Sequence, residues 1–176
     1  MDNIVKKFNV SISTFVESQR NEGKVIPLGL VYRNLGCIRY SKENRWLGQT
    51  GSYKGFCRFS HYNYGLRALI LLLCRYVYNY QITDLWSLIS RYSPAEDCNN
   101  VSVYYNKVKE IVGFDSFSDI DNVIMEQICM VAFAIIGVEI GSFFQSFIKS
   151  CLFDDFLKLC LHYCKEYQYN VRLKKF

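Results

Sequence analysis

The chain has 176 residues, of which 51% are hydrophobic and only two are proline. This composition excludes a disordered chain, and the length fits one domain that can bury a sizeable core. The formal net charge of +5 predicts attraction to an anionic partner, whether a cell-wall polymer, a nucleic acid or a lipid surface. Nucleic acid is the least favoured, because the basic residues are not clustered with aromatic residues on one helix face.

The first third of the chain begins with a predicted amphipathic helix over residues 3–18. Its apolar residues recur at helical spacing: Ile4, Phe8, Ile12 and Phe15. Pro27 then starts a region rich in Gly, Asn, Ser and aromatic residues, which indicates a loop and a short β-hairpin up to residue 60. The turn of this hairpin is expected at Gly51-Ser52 or at Lys54-Gly55.

The rest of the chain is predicted to be helical. Residues 65–80 are apolar on most faces and indicate a largely buried helix. Polar and glycine residues then mark the boundaries of further helices. The first of these helices runs from Thr83-Asp84 to about Tyr92, the second from Asn99-Asn100 to Gly113, and the third from Ser118 or Asp119 to Val138. One or two more helices are expected over 142–167.

We therefore expect a mainly α protein of the α+β class, with one small hairpin and no linker between domains. The single domain would comprise an extra N-terminal helix (1–26), the loop and hairpin (27–60), a helical core (61–145) and C-terminal helices with a basic tail (146–176). The uncharged run 127–138 is too short to span a bilayer, which needs about 20 apolar residues. A buried core helix explains it better, so no transmembrane segment is expected.

The eight cysteines are expected to be free thiols. The N-terminal residues lack the charged and then apolar layout of a signal peptide, which favours synthesis in a reducing cytoplasm. Cys160-x-His162-x-Cys164 resembles a metal-binding cluster in spacing alone. On a helix, His162 would point about 200° away from Cys160, and no fourth ligand is evident, so neither a metal nor another cofactor is predicted.

Several short motifs of this chain resemble, in order, those of a family of phage and prophage proteins. That family carries Asn-Pro-Gly-Asn-Ile-Arg, Trp-x-Gly, Phe-x-x-Phe, Gly-x-Arg-Ala, Trp-Ala-Pro-x-x-Glu-Asn and a final Glu-Asn-Gly. The corresponding segments here are Asn34-Leu-Gly-Cys-Ile-Arg39, Trp46-x-Gly48, Gly55-Phe-x-x-Phe59, Gly65-Leu-Arg67-Ala68, Tyr92-Ser-Pro94-Ala-Glu96-Asp97-x-Asn99 and Ala134-Ile-Ile-Gly-Val-Glu139-Ile-Gly141.

Members of this family are described as phage structural proteins or as lysozyme-like cell-wall hydrolases. The resemblance implies a lysozyme-like helical domain and leaves both an enzyme and a virion component open. In most lysozyme-like glucosaminidases the helix with the acidic glutamate precedes the Asn-containing segment and the hairpin, whereas here it follows them. The order therefore suggests a circularly permuted arrangement, with the hairpin still packed beside the glutamate helix.

Glu139 is the candidate catalytic residue. It follows eleven uncharged residues, and a carboxylate at the end of an apolar helix is partly desolvated, which raises its pKa. A carboxyl group that keeps its proton near neutrality can protonate a glycosidic oxygen as the bond breaks. The alternative is a terminal charge placed where a long apolar helix reaches solvent.

Four further residues are candidates for substrate binding: Asn34, Arg39, Trp46 and Glu96. Asn34 could bind an N-acetyl group or simply form a turn. Arg39 could hold a carboxyl or acetyl group or form a salt bridge within the loop. Trp46 could stack on a sugar ring or pack beneath the hairpin, and Glu96 could supply a second carboxylate.

The predicted function is a phage-encoded, lysozyme-like glycosidase that cleaves the glycan strand of bacterial peptidoglycan. It would be made in the bacterial host cytoplasm and act in the virion or at the host cell envelope. Three departures from the family motifs, at Leu35, Cys37 and Ile140, favour the alternative of a non-catalytic virion structural or cargo protein. Other virion proteins would then be its partners.

Overall fold

The computed structural model describes residues 1–95 and 100–173, with side chains up to residue 171. In these ranges the protein is mainly helical with a single antiparallel hairpin, which confirms the predicted fold class. The helices are α1 (Asp2–Asn21), α2 (Leu28–Val31), α3 (Tyr62–Cys74), α4 (Leu85–Tyr92), α5 (Val101–Val112), α6 (Asp121–Ile140), α7 (Ser142–Phe147) and α8 (Phe153–Leu173). The strands are β1 (Gln49–Tyr53) and β2 (Phe56–Phe59). Two π-helical turns extend α3 and connect α7 to α8, over Arg75–Asn79 and Ile148–Leu152.

The centre of the fold is the packing of α3 against α6 and α8. Both α3 and α6 are apolar around most of their circumference, so each must be covered by other helices. By length and composition, α6 is also long and apolar enough to cross a membrane. Most of it is buried inside the protein, as in the core helix expected from the sequence, and this is weak evidence against a membrane span.

Several helices begin or end at the residues expected from the sequence. The Asp84 carboxylate accepts a hydrogen bond from the Ser87 N–H at 2.8 Å, and the Asn100 side chain accepts one from the Val103 N–H at 3.1 Å. Gly113 ends α5 in the left-handed region, with φ of 75°. The start of α6 was predicted too early, because Ser118 forms a turn that bonds to Gln127 before the helix begins.

The N-terminal helix is an integral part of the core. Phe8, Ile12 and Val16 are buried, and α1 contacts both α3 and α8. On the same face Phe15 stacks on Phe147, with ring centroids 4.4 Å apart. The helix thus covers apolar surface that the central helices would otherwise expose to water.

The hairpin turns at Lys54 and Gly55, which selects the second of the two predicted turns. Both residues have positive φ, of 49° and 81°, as a tight two-residue turn requires. Outside the strands, the chain before the hairpin adds to its edge: the Tyr40 N–H donates to the Gly55 carbonyl at 2.8 Å, and the Cys57 N–H donates to Ile38 at 3.0 Å.

Seven of the eight cysteines lie in the described residues, and all seven are free thiols. Four are fully buried in the core between α3, α6 and α8: Cys74, Cys129, Cys160 and Cys164. The sulfurs of Cys74 and Cys164 are 3.7 Å apart, and burial raises the pKa of the Cys74 and Cys160 thiols. His162 is exposed on the opposite side of α8, and the described residues contain no group of three side chains suited to a metal ion.

Candidate functional site

Glu139, Arg39 and Trp46 line one open pocket with a volume of about 360 Å³. This volume lies within the range typical of small-molecule sites, near its lower end. The pocket is formed by the loop before the hairpin, by β2, by the end of α3 and its π-helical turn, by the segment after α4 and by the last turn of α6. The side chains that dominate its lining are aromatic or charged: Arg39, Tyr40, Trp46, Phe56, Tyr76, Arg91, Tyr92 and Glu139.

Glu139 lies in the last turn of α6, half-buried, with its carboxyl group at the pocket. Burial raises the pKa of this carboxyl group above its ordinary value. Hydrogen bonds from Tyr104 and Cys37 and the charge of Arg39 act in the opposite direction but do not cancel the effect of burial. The Tyr104 hydroxyl donates to Glu139 Oε1 at 2.8 Å. Desolvation therefore favours the protonated acid, while two donors hold its orientation.

Cys37 brings the loop into contact with the acid. Its thiol bonds to the Glu139 carboxyl group, and burial together with the negative charge of Glu139 raises the pKa of Cys37 to about 12. The thiol is therefore protonated and serves as a donor. The backbone of Cys37 lies in the left-handed region, with φ of 49°, where Asn is much better tolerated than other non-glycine residues. Asn, which stands at this position in the motif that the segment resembles, would adopt this conformation more readily.

Arg39 is held at the pocket by the hairpin. Its backbone pairs with Phe56 in an antiparallel bridge, and its guanidinium lies 5.1 Å from the centre of the Phe56 ring. This arrangement places a fixed positive charge in the pocket where it acts on Glu139. The last turn of α6 and the hairpin therefore meet at one site.

The structure places Asn34 away from the pocket, contrary to the expectation that it binds substrate. Asn34 is fully buried, and its side chain bonds only to backbone groups. It donates to the carbonyls of Ile38 at 2.9 Å and Cys57 at 3.0 Å, and it accepts from the Ile38 N–H at 2.9 Å. Asn34 therefore joins the loop to β2, and it influences the pocket only by fixing the segment that carries Cys37 and Arg39.

Trp46 combines the two roles that the sequence left open. It lines the pocket and also packs against the core. The guanidinium of Arg75 lies 5.7 Å from its ring centre and donates to the Asn44 side chain at 2.9 Å. The indole is thus held by a cation on one side, and Asn44 is fixed beside it at the edge of the pocket.

Glu96 lies outside the described residues. The chain is described up to Ala95, and Ser93 and Pro94 line the pocket just before it. In the described part of the lining, Glu139 is the one carboxylate. A second carboxylate from Glu96 stays a prediction.

Sequence reasoning missed four contributors to the site: Tyr76, Arg91, Tyr92 and Tyr104. The Tyr92 hydroxyl donates to the Gly36 carbonyl and so holds the loop that carries Cys37. Tyr92 begins one of the quoted motifs, so that motif was a usable signal. Tyr104 had no such signal, because only the packing of α5 against α6 brings it to Glu139.

The three departures from the family motifs differ in their relation to the site. Leu35 and Ile140 are buried in the core and lie off the pocket lining. Ile140 packs near Gly29 of α2, so a polar residue at this position would not face the pocket. Cys37 alone touches the acid. The loss of polar groups near Glu139 is therefore smaller than the motif comparison indicated.

No family model matches the chain, and no curated protein is significantly similar to it. In chemical terms, the site offers a desolvated carboxyl group beside an open space with aromatic and cationic walls. Such a group can give a proton to a polar ligand that enters the pocket.

Proposed function

We propose that this protein is a phage-encoded, lysozyme-like glycosidase that cleaves the glycan strand of bacterial peptidoglycan, with Glu139 as the general acid. The observation that carries the proposal is the position of Glu139: its carboxyl group is desolvated by the end of a buried helix and yet faces an open pocket. A raised pKa keeps part of the population protonated closer to neutral pH, as an acid catalyst requires.

Glu139 would act by transferring its proton to the glycosidic oxygen as the bond to the anomeric carbon breaks. The sugar then carries an oxocarbenium-like positive charge until water completes the hydrolysis. The hydrogen bonds from Tyr104 and Cys37 would stabilise the carboxylate left behind and keep it oriented for the return of a proton. Glu96 remains our candidate for a second carboxylate.

The walls of the pocket suit a sugar substrate. Aromatic rings present flat apolar faces that can pack against the C–H faces of a sugar ring, and Trp46 and Tyr76 both line the space. Asn44, Ser41 and the tyrosine hydroxyls supply hydrogen-bonding groups at the same pocket. The guanidinium of Arg39 can bind a carboxyl or acetyl oxygen.

The second candidate is a non-catalytic virion structural or cargo protein that retains a lysozyme-like fold. The observation that favours it is that the protein itself supplies several partners for the Glu139 carboxyl group. Tyr104, Cys37 and Arg39 all interact with it. A buried acid with several partners of this kind can serve to fix a loop against a helix. In both candidates the protein would be made in the host cytoplasm and reach the virion or the host envelope.

The test is the release of reducing ends from purified peptidoglycan by the wild type and by Glu139→Gln. Removing the acid should reduce the rate by about 10² to 10⁴, because general acid catalysis contributes a factor of this size. Glu126→Gln is the matched control, since Glu126 lies on the same helix but is exposed. It should retain full activity.

Two results would contradict the proposal. Undiminished activity of Glu139→Gln would exclude Glu139 as the acid. A folded wild type without activity on the walls of several hosts, but present in purified virions by mass spectrometry, would support the structural alternative.

A further inference from the structure

Two of the three charged side chains in the described lining of the pocket are cationic. Three charged side chains belong to its described lining: Arg39, Arg91 and Glu139. Arg39 already acts on Glu139, so the two largely offset each other. Arg91 is then the one further charged side chain among the described lining residues. A cation at this position can attract an anionic group of a ligand.

Arg91 is held in place without losing its donors. It lies in the last turn of α4, and its guanidinium packs on the rings of Tyr80 and Tyr76, 4.0 and 5.3 Å from their centres. Stacking fixes the plane of the guanidinium but leaves the N–H groups on its edge able to donate. The side chain is exposed to solvent, and the described residues offer it no ion pair.

This environment differs from that of the other arginines near the pocket. Arg75, whose guanidinium lies 5.7 Å from the Trp46 ring centre, donates to the Asn44 side chain. Arg39 lies close to Glu139 and is bound to the hairpin. Arg91 is thus a pre-oriented cation in the pocket whose described contacts are two aromatic rings. A planar fork of donors in such a position matches a carboxylate, which it can bind through two parallel hydrogen bonds.

We infer that the pocket selects a glycan that carries a carboxylate close to the scissile sugar, and that Arg91 binds this carboxylate. The inference rests on the proposed function, because it specifies the substrate of the same site. Neutral polymers of N-acetylglucosamine would bind less tightly. In a bacterial wall the carboxylate has two sources: the lactyl group of a muramic acid residue without its peptide, or the acidic residues of an attached stem peptide.

The experiment measures binding by titration calorimetry to Glu139→Gln, in which turnover is suppressed. The three ligands are the disaccharide of N-acetylglucosamine and N-acetylmuramic acid with a free lactyl group, the same disaccharide with its stem peptide, and the neutral dimer of N-acetylglucosamine. At least one carboxylate ligand should bind about tenfold more tightly than the neutral dimer, the size expected of a charge-assisted hydrogen bond. Which of the two does so identifies the source of the carboxylate.

Adding Arg91→Gln should remove this preference and leave the affinity for the neutral dimer unchanged. Arg91→Lys should restore part of it, because the charge is kept while the planar fork is lost. Arg58→Gln is the matched control, since Arg58 is also exposed and lies 5.8 Å from the Tyr32 ring but is not part of this pocket. It should leave all three affinities unaltered.

Equal affinity for all three ligands would overturn the inference, as would a preference that survives Arg91→Gln. Either result would leave the proposed function standing if the wild type cleaves peptidoglycan. Conversely, a preference that depends on Arg91 in a protein that cleaves nothing would support the inference and contradict the proposed hydrolysis.

Discussion

Gly65→Ala should destabilise the protein, although alanine favours helices. Gly65 is buried in the first turns of α3, at the place where the helix lies against the loop at Arg33 and Asn34. A methyl group there would overlap the Arg33 carbonyl oxygen and lie 3.0 Å from its carbonyl carbon and 3.2 Å from the Asn34 Cα. All three atoms are main chain, so no side-chain rotation can relieve the overlap, and the helix or the loop must shift.

Overpacking typically costs about 1–3 kcal/mol, and the gain in helix propensity returns up to about 1 kcal/mol. Because the overlap is with main-chain atoms, we take the upper end of the cost and expect a net loss of about 2 kcal/mol. For a chain of this length about 1 kcal/mol corresponds to roughly 2–4 °C in Tm, so thermal unfolding should begin about 4–8 °C lower. The same loop carries Cys37 and Arg39. Activity should therefore be lower than that of the wild type even at temperatures well below the Tm, where the variant is folded.

The assay is thermal unfolding followed by circular dichroism, with Gly137→Ala as the matched control. Gly137 also lies in a helix, but the group that a methyl would meet there is the flexible end of the Gln145 side chain. This control should change Tm by much less than Gly65→Ala. Equal shifts for the two variants, or no shift for Gly65→Ala, would refute the argument that main-chain contact requires glycine at position 65.

Two further predictions concern the acid and the thiols. Tyr104→Phe removes a hydrogen bond that lowers the pKa of Glu139, so that pKa should rise further and the alkaline limb of the pH–rate profile should move to higher pH. Tyr105→Phe is the control, because the Tyr105 hydroxyl bonds to Asp115 instead. A shift of the alkaline limb to lower pH in Tyr104→Phe would contradict the role of Glu139 as the acid. In the folded protein Cys151, which is exposed, should react quickly with a thiol reagent, whereas the buried core thiols should react only after denaturation, when most of the eight should be found. Recovery of two thiols or fewer from the denatured protein without reductant would show that disulfides form.

The parts of the fold that could be predicted depend on neighbouring residues. The caps at Asp84 and Asn100 were evident because the capping side chain and its partner lie three positions apart. The buried helices α3 and α6 were evident because their apolar residues are continuous. The position of Glu139 followed from the same pattern, since a single carboxylate after a long apolar run lies at the edge of the core.

The parts that could not be predicted depend on residues that are distant in the chain. Asn34 illustrates this limit, because a turn residue, a ligand-binding residue and a buried loop anchor all look alike in sequence. Its role is visible only in the folded structure, where β2 places the Cys57 carbonyl within hydrogen-bond distance of the Asn34 side chain. Likewise, Tyr104 reaches Glu139 across 35 positions, through the packing of two helices.

The cluster of buried thiols sets an order of events for the maturation of the chain. Eight cysteines can pair in 105 ways, whereas the seven described in the native fold are unpaired. Most of these pairings would join cysteines that the native fold keeps unpaired, so oxidation of the nascent chain would interfere with folding. Once α3, α6 and α8 have closed around the four core sulfurs, oxidants in the surroundings no longer reach them. Folding under reducing conditions would therefore protect these four sulfurs before the chain meets an oxidant.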